Sequence, residues 1–204
     1  MTISRRDFFK ISLALLVTSN TVEANDISNI TVIPIKSKYK MQETRKLKNI
    51  RKTKDSIYLL KMYNPNTNEV IVSRFHKNKK IPEKEIRKIS YFLRDFHENK
   101  VKKIDQKLIF YLAEILRKTK KGKYIVVHSA YRTKKTNKFL KEHGYKTATK
   151  SMHIKAKAID FHINGYSSYK SYLITKKINP GGLGYYKSQK FIHMDTGRRR
   201  FWLG

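Results

Sequence analysis

His153 and Asp160, seven positions apart in SMHIKAKAID, set the tightest constraint on how this chain can fold. On one helix that interval is about two turns, or roughly 10.5 Å along the axis. On one strand it is about 23 Å, with the two side chains on opposite faces. Neither element lets the pair share a proton or an ion, so they meet only if the chain turns back between them. The segment KAIDFHI reads as a strand in which Ala158, Asp160 and His162 share one face and Ile159, Phe161 and Ile163 the other. A carboxylate set among such apolar neighbours is costly unless it is paired or bound to a metal. A reversal around Lys155 to Lys157 would return His153 to its side.

A third group of the same kind follows in FIHMDTG, where His193 and Asp195 project from one face of a last strand. The chain has no cysteine, so any metal must use histidine and carboxylate. Histidine, aspartate and histidine suit Zn²⁺ in a tetrahedral site whose fourth position stays open for water. Each residue alone also has a plainer reading. His153 fits a loop surface, Asp160 a buried ion pair and His193 a satisfied core histidine. Together, on adjacent strands, the metal reading is the stronger.

The remaining punctuation gives an α+β order. SIYLLKMYNPNTNEVIVSRF reads as a hairpin around Asn-Pro-Asn-Thr-Asn. Pro82 opens a helix with Ile86, Ile89, Leu93 and Phe96 on one face. Asp105 caps a second helix, with Leu108, Leu112, Ile115 and Leu116 as its stripe. KYIVVHS is a strand, TKKTNKFLKEHG a short helix, and SSYKSYLITKKI a helix capped by Ser167 or Ser168. NPGGLG reads as a loop before the final strand; it is no phosphate loop, since no Gly-Lys-Ser/Thr follows.

Before residue 55 the composition changes. SRRDFFK precedes the apolar run ISLALLVTSNTV, and Val22-Glu23-Ala24 offers small residues for cleavage. Residues 1–24 therefore read as a secretory signal resembling the Tat type, with a periplasmic or cell-surface destination. Residues 25–54 read as a basic linker or arm, and 55–204 as the folded domain. Lysine and arginine number 47 against 15 acidic residues, a net charge of +32. That excess attracts polyanions: nucleic acid, anionic lipid or an acidic wall polymer.

Four ordered segments, HSAYRTKKTN, SMHIKAKAIDFHI, GGLGYY and FIHMDTGRRRFW, resemble the LAS metallopeptidases, the D-alanyl-D-alanine peptidase and Sonic-hedgehog group. They are most similar to its Tat-exported YcbK-type murein endopeptidases, and the likeness spans about residues 57 to 202. Ala130 departs from the glycine often found there. The resemblance implies an α+β fold with a small antiparallel sheet flanked by helices and one zinc. It also implies hydrolysis of peptide bonds in peptidoglycan stem peptides, by an endopeptidase or a carboxypeptidase. His153, Asp160 and His193 correspond to the zinc ligands and Arg132 to a substrate-recognition position; Ser151, two residues before the first ligand, reads either as a partner for substrate backbone or as a plain turn serine. Many relatives carry a glutamate base three residues before the last histidine, where this chain has Lys190. Asp195 is then the nearest candidate for the base, or else the group that orients His193; His162, on the Asp160 face, is a weaker candidate for the base. Peptidoglycan is the expected partner, with no specific nucleic acid and membrane contact only during export; oligomeric state is left open. The competing readings are a basic nucleic-acid-binding protein and a wall-binding protein with a non-catalytic zinc site.

Overall fold

The computed structural model describes residues 33–34, 57–77, 79–145, 147–178 and 181–204. The expected signal, and all of the expected arm except 33–34, lie outside them. The described strands are β1 (Ile33–Pro34), β2 (Ile57–Asn64), β3 (Glu69–His76), β4 (Ile125–Ser129), β5 (Ala158–Ile163), β6 (Gly182–Tyr186), β7 (Phe191–Asp195) and β8 (Arg200–Leu203). The helices are α1 (Glu83–Phe92), α2 (Gln106–Arg117), α3 (Lys134–Glu142) and α4 (Ser168–Lys176).

The strands form one sheet in the order β1-β3-β2-β4-β5-β7-β6-β8. The α+β class holds, but the sheet is larger than expected and mixed: β2 runs parallel to β4 and β6 to β8. The hairpin β2–β3 pairs through its whole length around the anticipated turn. Asp105 caps α2 by accepting from the Lys107 N–H at 2.9 Å, and Ser167 caps α4 through the Lys170 N–H at 3.1 Å. These contacts satisfy orphan donors at the helix starts.

The alternation along β5 decides the sides of the sheet. Ile159, Phe161 and Ile163 are fully buried, in one core with Ile192 and Met194 of β7 and the apolar stripes of α1 and α2. Asp160 and His162 lie on the other, partly open side, with His193 directly across from Asp160.

The glycine segment departs from expectation, since Gly182–Tyr186 is strand β6 rather than a loop. The glycines serve close approach. A Cβ on Gly184 would lie 2.5 Å from Trp202 Cε2, and one on Gly182 would overlap the Asp195 and Arg200 side chains. Gly184→Ala is therefore expected to displace Trp202 and cost about 1–3 kcal/mol of stability, as overpacking does. Thermal unfolding measures the cost, and the emission of this single tryptophan reports the displacement. Unchanged melting and emission would refute the reading.

Candidate metal centre

The chain between His153 and Asp160 turns back as their spacing demands. Ala156 takes a positive φ of 54°, and its N–H donates to the His153 carbonyl at 3.0 Å. The turn is tied to α2 by the Asp105 N–H, which donates to the Ala156 carbonyl at 3.0 Å. His153 is thereby delivered, 1% exposed, to the start of β5.

Three atoms converge. His153 Nε2 lies 3.3 Å from Asp160 Oδ1 and 3.2 Å from His193 Nδ1, and His193 Nδ1 lies 2.8 Å from Asp160 Oδ1. Among the described residues this is the one group of three or more such side chains able to hold a metal ion. The far nitrogen of each ring is anchored. His153 Nδ1–H donates to the Ala130 carbonyl at 2.6 Å, and His193 Nε2–H to Asp195 Oδ2 at 3.0 Å. Those bonds set the tautomers, so both inner nitrogens turn lone pairs toward Asp160. A tetrahedral zinc with bonds of about 2.0–2.1 Å holds its ligands roughly 3.3 Å apart. The donor set fits that ion in type and spacing.

The electrostatics agree. Burial, with the Arg132 charge nearby, pushes His153 down to about 4, keeping it neutral. Burial alone would raise the Asp160 carboxyl, yet His153 and His193 hold it well below the usual carboxylate range. For His193, burial acts downward but the bonds to Asp160 and Asp195 prevail, so it is raised.

Asp195 stands behind His193 and is itself fully buried. Oδ1 accepts from the Gly197 N–H at 2.8 Å and the Gly182 N–H at 3.2 Å. Arg200 grips both oxygens, at 3.2 Å to Oδ1 and 2.6 Å to Oδ2. Burial favours the neutral acid, but His193, Gly197 and Arg200 together drive Asp195 far below the ordinary carboxylate range. Every oxygen is occupied.

Other expected residues fall at different distances from this cluster. Arg132 is close enough for Asp160 to support its charge against burial, and its buried Nε has no hydrogen-bond partner among the described residues. Ser151 Oγ accepts from the His153 N–H at 3.3 Å. Lys190 sits exposed in the β6–β7 turn with φ 58°. His162 Nδ1 lies 2.8 Å from His128 Nε2. His128 occupies the β-bulge where the β4–β5 register shifts between Val127 and Ser129. Sequence reasoning missed His128, Arg200 and Trp202, whose ring centroid lies 5.3 Å from that of His193. Their positions depend on strand register, which no local pattern reveals.

An α+β sheet carrying one His/Asp/His centre on its open face, with anchored tautomers and a carboxylate behind the last ligand, defines a candidate mononuclear metallohydrolase. Comparison with known proteins narrows the class. A peptidase M15 family model described as peptidoglycan L,D-endopeptidase MepK matches residues 51–202, and the chain belongs to that family. It is 33% identical over 144 residues to the peptidoglycan L,D-endopeptidase MepK of Escherichia coli K12, covering 71% of this chain and 79% of the relative. It is 34% identical over 148 residues to the probable peptidoglycan L,D-endopeptidase MepK of Haemophilus influenzae, covering 72% and 79%. No solved structure matches the chain.

Proposed function

We propose that this protein is a zinc-dependent murein endopeptidase that cleaves an L,D peptide bond in peptidoglycan cross-links after Tat-type export to the periplasm or cell surface. The observation that carries this reading is the convergence of His153 Nε2, Asp160 Oδ1 and His193 Nδ1 within 3.3 Å of one another. Membership of a peptidase family supports the reaction class, and the names of the two relatives support the L,D bond.

His153, Asp160 and His193 would hold the zinc, which when bound lowers the pKa of a coordinated water and polarises the scissile carbonyl. The rest falls to the chain's own side chains. The Ala130 carbonyl and Asp195 fix the two rings, so no reorganisation is needed to present their lone pairs. Asp195 is assigned to orientation of His193, because Arg200 and two backbone N–H groups occupy its oxygens. Arg132 is assigned to a stem-peptide carboxylate, which its fork can take in two parallel bonds. The basic arm before residue 55 is assigned to attraction by anionic wall polymer, a screened and salt-sensitive effect.

Incubating the protein with purified sacculi, with and without chelator, and resolving the products by mass tests this function. Chelator-sensitive release of separated stem peptides is expected. Loss of single terminal residues would make it a carboxypeptidase; binding without any product would make it a non-catalytic wall protein. Arg132→Lys keeps the charge but loses the fork, so kcat/KM on muropeptides should fall about tenfold or more, the scale of one charged hydrogen bond. An unchanged kcat/KM would remove Arg132 from recognition.

A further inference from the structure

The sheet's β8 edge bears a second surface, formed by α4 and the outward side of β8. Tyr169, Tyr172, Leu173 and Lys176 recur at helical spacing along α4. Tyr169 is 54%, Leu173 42% and Phe201 40% exposed, and Leu203 is also exposed. The patch is continuous. Tyr185 lies with its ring centroid 5.8 Å from Tyr169 and 5.5 Å from Tyr172, and Lys176 Nζ lies 5.4 Å from the Phe201 ring, with Arg199 on the same ring at 5.6 Å.

Its charge is of one sign. Residues 164–194 contain five lysines and no aspartate or glutamate, and residues 196–204 contain three arginines and none either. A second copy, or the basic arm of this chain, would bring like charge against it. A sugar platform pairs aromatic faces with carboxylates or amides for the hydroxyls, whereas this face offers aliphatic Leu173 beside its tyrosines. Tyrosine rings, exposed leucine and long-stemmed cations are the side chains that settle at a lipid headgroup boundary. No described helix is long and apolar enough to cross a membrane.

We propose that this face docks on an anionic lipid bilayer, with Tyr169, Leu173 and Phe201 at headgroup depth and Lys170, Lys176 and Arg199 on the lipid phosphates. Arg200 and Trp202 alternate to the other side of β8, toward Asp195 and His193. Docking therefore leaves the metal centre uncovered. The proposal extends the membrane contact expected from the sequence, which was limited to export, and rests on no feature of the metal centre.

The chain has no cysteine, so Leu173→Cys carries a single polarity-sensitive fluorophore in the full-length protein, and Lys107→Cys on α2 serves as the paired control. Phosphatidylglycerol vesicles should shift the label at 173 to the blue and leave the label at 107 unchanged; phosphatidylcholine vesicles should shift neither. Any contribution of the N-terminal segments acts on both labelled proteins alike. Tyr169→Ser combined with Phe201→Ser should weaken partition onto phosphatidylglycerol about tenfold without altering muropeptide cleavage. No shift at 173, or an equal shift at both positions, overturns the proposal. A shift produced by purified glycan strands without vesicles, or one that grows with protein concentration alone, also overturns it and assigns the face to sugar or to a second copy.

Discussion

Removing a ligand from the His153/Asp160/His193 cluster is expected to abolish both zinc binding and hydrolysis. A metal ion contributes several kcal/mol of transition-state charge stabilisation, and each 1.36 kcal/mol is tenfold in rate. His153→Ala and Asp160→Ala should therefore lose on the order of 10³-fold or more in turnover of a soluble muropeptide, with zinc content falling well below one per chain. His153 is 1% exposed and bonded to the Ala130 carbonyl, so its loss also opens a cavity. Asp160→Asn separates the two effects, because it keeps the size of the side chain and removes only the charge that attracts the cation. Zinc content by metal analysis, read beside thermal unfolding, checks the outcome. Wild-type zinc in a folded Asp160→Asn protein and in His153→Ala would dismiss the assignment.

The parts of the fold written in local pattern were legible. The apolar alternation of KAIDFHI becomes the buried face of β5, and the stripe from Leu108 to Leu116 becomes the buried face of α2. The interval between His153 and Asp160 forecast a turn because no regular element could join them, and that turn exists around Ala156. Strand β6 was not legible. GGLGYY has the composition of a loop, and its glycines make sense only once Trp202 and Asp195 are seen to occupy the space a Cβ would need. Strand β8 is four residues long and opens on a basic run, which masks its alternation.

The site divides in the same way. Asp160 and His193 could be collected from two strand patterns, because each pattern put a polar side chain on a face that apolar neighbours had vacated, and His153 from its interval to Asp160. Their supports could not. Arg200 reaches Asp195 across a turn, and His128 meets His162 across two strands, at a point where the β4–β5 register shifts. The carbonyl that fixes His153 belongs to Ala130, and a carbonyl carries no signature in side-chain sequence. Register and backbone geometry are properties of the assembled sheet, so the residues that support the candidate ligands surface later than the candidates themselves.

Asp195 is where that distinction has its sharpest consequence. From sequence it served equally as a base or as the group orienting His193, because both roles need only a carboxylate two residues on along the same face. Burial and partners separate them. A general base must reach the proton it abstracts, directly or through one water. Asp195 is 0% exposed, and it holds His193 Nε2–H while Arg200 and the Gly182 and Gly197 N–H groups fill the remaining positions. Asp195→Asn is therefore expected to weaken zinc affinity by roughly 10 to 100-fold, the usual effect of losing a carboxylate behind a ligating histidine, with excess metal restoring much of the rate. A base would behave differently: turnover would fall about 10² to 10⁴-fold with zinc still bound, and added metal would restore nothing. The substitution also strips Arg200 of its ion pair, but that side chain is 39% exposed, so water can recover part of the loss. A zinc titration of the variant's activity, with its melting temperature measured in parallel, decides between the roles. Full activity at wild-type zinc affinity would exclude both.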